Sequence, residues 1–429
     1  MMISKKRVLV FPCGSEIGLE INRSLAKDIH FEMFGASSVP DHGRFVYKNY
    51  IEGIPYVNSE DFIFSINKVC EEHLIDFIVP AHDSVVLKLA QNVDKLKAIV
   101  ITSPLETCEI ARSKKKTYEI LKDIVLCPRV YNFDDEDIVY PVFIKPDVGQ
   151  GSKGTKKVYS NEELKLEYSN NPDIIISEVL TGEEYTIDCF TNREGDLLFA
   201  KGRKRARISN GISVNSYPVE NEKFRIIAEK INSKIKFKGM WFFQLKENAN
   251  GELALLEIAP RIAGTMGMYR ALGINFVLLA LYDALGLDIQ LINNHFDIEI
   301  DRALFARYKT NLEYDCVYID LDDTIIYENI VNTDIFKFLY QAKNQNKKII
   351  LISKHEKEIT KTLDDYCISP KLFDEILHLK KFDKKSSFIK EKNAIFIDDS
   401  YAERKDISDN CSIPVFSTDA IETLLDWKN

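Results

Sequence analysis

Short apolar runs alternate with amphipathic stretches along most of the chain, and that alternation predicts an α/β architecture with largely parallel sheets. KRVLVFPCG (6–14) reads as a strand and turn, EIGLEINRSLAK as a helix and HFEMFGAS as a strand. SINKVCEEHLI then reads as a helix and DFIVPAHDS as a strand running into a loop. Together they predict a small doubly wound domain ending near residue 103. GSEIG (14–18) falls at the first strand-to-helix turn, where exposed backbone N–H groups can hold an anion. It lacks GxGxxG spacing, so it reads as a tight turn beside a ligand and not as a dinucleotide site.

A chain of 429 residues suits two or three domains, each able to bury its own core. The composition is globular, and no apolar run approaches the roughly 18 residues of a membrane span. MMISKKRVLVFPCGSE has basic residues before an apolar stretch, but the stretch is short and enters a Gly turn, which fits a first strand better than a signal peptide. A cytoplasmic protein is expected, without membrane contact. The eight cysteines (13, 70, 108, 127, 189, 316, 367, 411) form no CxxC pair, so neither a zinc site nor a disulfide framework is predicted. Basic residues number 57 against 66 acidic, a formal charge of −9, which argues against nucleic acid as a partner. The densest basic run, KGRKRAR (201–207), is either a local anion pocket or a solvated strand edge.

YPVFIKPDVGQGSKGTKKV (140–158) is two strand-like halves around a Gly-rich tip, a predicted hairpin. Gly149, Gly151 and Gly154 leave backbone amides bare, with Ser152 and Lys153 between them, and such a loop can fold over nucleotide phosphates. Lys145 precedes it, and Lys114 lies upstream in SPLETCEIARSKKKTYEIL, read as one helix. Downstream follow ISEVLTGEEYTID, WFFQLKE and LLEIAPRIAG. This ordered set resembles the ATP-grasp superfamily over roughly residues 5 to 300, in particular its carbamoyl-phosphate synthetase and carboxylate-amine ligase branch. The resemblance implies a Rossmann-like N-terminal subdomain followed by two α+β ATP-binding subdomains. It makes Lys114 and Lys145 the phosphate lysines, with Lys115 or Lys116 as alternatives to the first. The Gly149–Gly154 loop would close over the phosphates, Glu178, Val179 and Leu180 would form the adenine hinge, and Glu184 the ribose acid. Gln244 and Glu257 would hold Mg²⁺, with Mn²⁺ as a substitute, and Arg261 would steady the transferred phosphate or the substrate carboxylate. Many members carry Asn two residues after the metal Glu. Here that position is Ala259, which removes one metal or phosphate contact.

CVYIDLDDTII sets Asp320 and Asp322 two residues apart, read as lying on one strand and one face at its carboxyl end. KKIILISKH ends a second strand at Ser353, LKKFDKKSSFI is Lys-rich, and NAIFIDDSYAER ends a third strand at Asp398 and Asp399. Residues 311–429 resemble the haloacid dehalogenase superfamily, with all four of its motifs. The resemblance implies Asp320 as nucleophile and Asp322 as general acid and base. Ser353 and Lys385 would bind the phosphoryl group, with Lys380, Lys381 and Lys384 as rivals to Lys385. Asp398, Asp399 and the two early aspartates would supply the metal ligands. Fewer than thirty residues separate Asp323 from the second strand, too few for a sizeable cap, so a small Rossmann-like domain with an open site is expected.

Three segments follow: a Rossmann-like 1–103, an ATP-grasp 104–310 and a phosphatase-like 311–429. The combined expectation is a bifunctional enzyme. One site would join a small carboxylate to an amine at the cost of ATP, and the other would hydrolyse a phosphate monoester. A homodimer is compatible with this reading. The alternatives are an ATP-grasp kinase whose last domain is a binding module, and a nucleotide sensor without catalysis.

Overall fold

The computed structural model describes residues 5–149, 151 and 153–428. The chain divides into two compact units, Met1–Leu304 and Phe305–Asn429. Among the described residues no helix is long and apolar enough to cross a membrane.

The first unit opens with five parallel strands in the order Asn49–Glu52, Phe31–Ser37, Lys6–Phe11, Phe77–Pro80, Ile99–Val100. From Val8 to Phe11 the central strand is continuously apolar, and Val8, Leu9 and Val10 are all fully buried, as a parallel strand covered on both faces requires. The helix Glu16–Leu25 starts at Ser15, whose hydroxyl accepts from Gly18 N. Gly18 sits where a Cβ would lie 2.4 Å from the Cys13 carbonyl oxygen, so only glycine lets the helix pack this closely on the preceding turn. The carboxyl ends of the central strands, followed by Ser15 and by the His82-capped helix Asp83–Ala90, form the crevice where open α/β sheets bind ligands.

Two antiparallel sheets follow. One has four strands, in the order Val130–Tyr131, Ile174–Glu178, Val142–Pro146, Lys156–Val158, and contains the expected Gly-tipped hairpin. The other has six, in the order Leu253–Ala259, Gly239–Glu247, Glu184–Thr191, Leu197–Ser209, Ile212–Val219, Ile300–Asp301. The stretch read as one helix is two, Leu105–Arg112 and Lys114–Leu121. Ser113 is extended between them and caps the second, accepting from Lys116 N while donating to the Asp147 carboxylate at 2.8 Å. A serine that can satisfy orphan helix donors favours such a break, and the break puts Lys114 in a first turn beside the hairpin.

The second unit has five parallel strands in the order Glu375–His378, Lys348–Ser353, Cys316–Ile319, Ala394–Ile397, Val415–Phe416. Its central strand ends at Ile319, so Asp320 and Asp322 leave from the loop that follows and not from the strand. Asp323 is left-handed there, with φ +52°. A small hairpin, Ile326–Tyr327 with Ile330–Val331, lies between this loop and the helix Thr333–Asn344 and was not anticipated. Its turn residues Glu328 and Asn329 both have positive φ, the conformation of a two-residue hairpin loop.

Gly18→Ala is expected to destabilise the first unit by about 1–3 kcal/mol through overpacking, although Ala is ordinarily the better helix former. Denaturant unfolding followed by Trp241 fluorescence in a Trp427→Phe background is the measurement. A stabilised variant would refute the packing argument.

Candidate functional site

Directly opposed residues of antiparallel strands point to the same face. In the six-stranded sheet Gln244 is opposite both Glu257 and Thr186, and Thr186 is opposite Arg203. Glu257, Gln244, Thr186 and Arg203 therefore form one row across four strands. Two cavities meet over this row, of about 350 and 410 Å³, within the size range of small-molecule sites. The smaller is walled by Phe143, Lys145, Val179, Leu180, Glu184 and Leu256. The larger is walled by Glu16, His82, Asp83, Arg203, Arg261 and Arg302. Lys114, Gly149, Gly151, Arg205, Gln244 and Glu257 line both.

Lys145 is buried, with Nζ donating to the Tyr118 hydroxyl at 2.6 Å, and Tyr118 donates in turn to the Leu256 carbonyl at 2.7 Å. Burial, helped by the charge of Lys114 and opposed by Glu257, pushes the Lys145 pKa down to about 8. Lys114 Nζ lies 3.4 Å from the Gly149 carbonyl oxygen and 4.0 Å from Glu257 Oε2. Lys115 and Lys116, its alternatives, are exposed. Gly154, with φ +72°, packs against Pro146; Ser152 lies outside the described residues.

Other expected ligands already have protein partners. Glu178 accepts from the Arg129 backbone N at 2.8 Å and lines the smaller cavity together with Val179 and Leu180. Glu184 lies 2.9 Å from Arg205 Nε and 3.5 Å from Lys246 Nζ. Arg261 is held bidentately by Asp83 at 2.6 and 2.8 Å, and its Nη1 donates to the Ile262 carbonyl. Burial opposes ionisation of Asp83, but Arg261 outweighs it and holds the carboxyl below its usual range. Sequence reasoning missed Asp83, Tyr118 and Thr186, whose roles depend on contacts far apart in the chain. The His-Asp pair after the fourth strand of the first sheet was the available signal for Asp83.

In the second unit Lys385 is buried, with Nζ 2.8 Å from Asp320 Oδ1 and 2.6 Å from Asp398 Oδ2. Lys380, Lys381 and Lys384 are exposed. Burial raises the Asp320 pKa despite Lys385, and burial together with the charge of Asp320 pushes Asp398 up to about 6. Ser353 Oγ is close enough to Asp320 to favour its ionised form, yet makes no well-aligned hydrogen bond. Donor atoms of Asp320, Asp398 and Asp399 lie within 4.8 Å of one another, a set of oxygens that suits a hard divalent cation. Asp322 stands outside this trio. Its carboxylate meets His355 Nδ1 at 2.9 Å, and His355 Nε2 meets Thr362 Oγ1 at 2.8 Å. His355, two residues after Ser353, was also missed.

Residues 170–302 match the family described as ATP-grasp in the biosynthetic pathway with Ter operon. The D-alanine--D-alanine ligase of Fusobacterium nucleatum subsp. nucleatum is 30% identical over 166 residues. That alignment covers 35% of this chain, and the chain spans about half, 56%, of the ligase. The biotin carboxylase domain of Hydrogenobacter thermophilus 2-oxoglutarate carboxylase, solved as a dimer with MgADP, ADP and bicarbonate, superposes with a TM-score of 0.57. It is 16% identical, over 67% of this chain and 71% of its own. The L-amino acid ligase of Bacillus licheniformis gives 0.53 at 18% identity, over 66% and 74%. The chain carries the ATP-grasp fold. The family match lies wholly within the first unit, as does the two-cavity site.

Lys145 carries a burial cost while charged, in full below about pH 8 and not at all above the ordinary value of 10.5. Lys145→Met is therefore expected to stabilise the first unit by up to about 3 kcal/mol at pH 7. The gain should shrink as pH rises between those values, measured by the same Trp241 unfolding assay. A pH-independent gain would contradict the charge argument.

Proposed function

We propose that the first unit is an ATP-dependent carboxylate-amine ligase. The observation that carries this reading is the junction of two cavities at Lys114, Gln244 and Glu257. The smaller cavity, with Phe143, Val179, Leu180 and Leu256 among its walls and Lys114 and Lys145 in the same lining, suits a nucleotide whose base meets the apolar side chains and whose phosphates meet the lysines. The larger, rich in arginine, suits an anionic acceptor. A carboxylate oxygen in the larger cavity attacks the terminal phosphorus, and the bond to the ADP oxygen breaks with its electron pair leaving on ADP. An amine then attacks the acyl carbon, phosphate departs, and the amine nitrogen gives up its proton to give a neutral amide. Lys145 and Lys114 supply positive charge to phosphate oxygens, and the burial of Lys145 strengthens its share of that interaction. Mg²⁺ fits at Glu257 and Gln244, one carboxylate and one amide oxygen, and when bound would neutralise phosphate charge; Mn²⁺ suits the same donors. Ala259 adds no ligand there. Superposition with a domain solved with MgADP supports the nucleotide part of this reading, and the matched ligases support the bond type.

For the second unit we propose a phosphomonoesterase of the haloacid dehalogenase type. Its support is the convergence of Asp320, Lys385, Asp398 and Ser353 at the carboxyl end of a parallel sheet. Asp320 would attack phosphorus, Lys385 and Ser353 would hold the phosphoryl oxygens, and Asp322, steadied by His355, would give a proton to the departing oxygen. Mg²⁺ fits the Asp320, Asp398 and Asp399 trio and would screen the approach of a carboxylate to a phosphate.

Two expectations follow. Glu257→Ala should lower carboxylate-dependent ADP release at least about 100-fold while leaving hydrolysis of p-nitrophenyl phosphate unchanged, and Asp320→Asn should do the reverse. Loss of both activities in either folded variant would contradict separate sites. Second, nucleotide phosphates favour protonated Lys145, so affinity for a non-hydrolysable ATP analogue should be flat below about pH 8. Above that value it should fall by up to about tenfold per pH unit. Calorimetry over a pH series is the check, and the slope should vanish in Lys145→Met.

A further inference from the structure

Two buried donors belong to residues that line the larger cavity, and among the described residues neither has a group to donate to. Arg203 and Thr186 are each only 1% exposed. Arg203 gives Nε to Asp188 Oδ2 at 2.7 Å and Nη2 to Asp188 Oδ1 at 3.2 Å, yet its Nη1 has no hydrogen-bond partner. Thr186 Oγ1 has none either among the described residues, and both residues line the larger cavity. Native proteins rarely leave such groups unsatisfied, so each calls for a partner such as a water, an ion or a ligand group. Thr186 and Arg203 are opposed across two strands and stand next in the row after Gln244 and Glu257. Neighbouring strands are about 5 Å apart, so Thr186 stands one strand spacing from Gln244 and two from Glu257.

We infer that Thr186 and Arg203 form the seat of the acceptor carboxylate, a subsite for a small carboxylic acid; this rests on the ligase reading above. The pair offers the two N–H groups of Arg203 Nη1 and the one O–H of Thr186, which can converge on one oxygen of a planar carboxylate and leave the other free. The other face of Arg203 is neutralised by Asp188, so the seat presents little net charge and suits a monoanion better than a phosphate dianion. The sequence offers Arg203, Arg205, Arg207 and Arg261 toward the carboxylate; of these Arg261 is already committed to Asp83 and to the Ile262 carbonyl. Held this way, the carboxylate has an oxygen free to attack phosphorus above Gln244 and Glu257.

The test uses the full chain with MgCl₂ and a non-hydrolysable ATP analogue. Acetate, succinate, glycine, L-alanine, L-glutamate and gluconate are the probes, and binding is measured by calorimetry. Thr186→Val keeps the shape and removes the hydroxyl; Arg203→Lys keeps charge beside Asp188 and removes Nη1. At least one probe should bind wild type and bind each variant about tenfold or more weakly, with affinity for the ATP analogue unchanged. If Arg203→Lys does not fold, Thr186→Val decides. The assignment is overturned if probes bind the variants as tightly as wild type, if no probe binds wild type although the analogue does, or if analogue affinity falls with the substitutions. That last result would make these donors nucleotide-phosphate ligands. Failure of the analogue to bind wild type would instead remove the ligase reading itself.

Discussion

Strand register in the six-stranded sheet is the constraint on which the first site depends, because a one-residue slip would turn every polar side chain of the row to the opposite face. Gln244 is fixed between Thr186 and Glu257, and the surrounding apolar positions enforce that fit. Trp241, Phe243 and Leu245 alternate with Phe242 and Gln244, and all but Gln244 are buried. Moving them by one position would bury the amide and bring Phe243 or Leu245 to the half-buried place of Gln244. The hydrophobic pattern thereby sets the order of the polar residues as well as the core.

Each unit buries one lysine at its site, and their titration moves in opposite directions for a simple reason. Lys145 has a phenol oxygen and an aromatic ring as its nearest company, neither carrying a full negative charge, so burial dominates and the ammonium is disfavoured. Lys385 touches two carboxylates within 2.8 Å, and their attraction overcomes a similar burial, raising its pKa. The first arrangement awaits negative charge from outside the chain, whereas the second already contains it.

Much of this was legible in local sequence. The Gly-tipped hairpin, the strands carrying Gln244 and Glu257, and the acids after the strand at 316 are each announced within a few residues, because strand periodicity and turn chemistry are short-range signals. Lys385 was selected over its neighbours, and it is the buried one. What remained hidden depends on long-range contact. Tyr118 matters only because its hydroxyl lies between Lys145 and Leu256, and Asp83 only because it meets Arg261 across 178 positions. Ser113 broke an expected helix because Asp147, far along the chain, receives its hydroxyl. The hairpin at 326–331 was passed over since Glu-Asn is a weaker turn signal than a glycine pair.

The hydroxyl of Tyr118 has a single hydrogen, directed at the Leu256 carbonyl, and it receives the Lys145 amine on a lone pair. An ammonium and a neutral amine both have hydrogens to give, so this contact keeps its polarity in either state. Lys145 can therefore gain or lose a unit charge while its neighbours keep their hydrogen-bond directions. The cavity wall behaves as an electrode of fixed shape, whose potential varies with acidity while its contour is conserved.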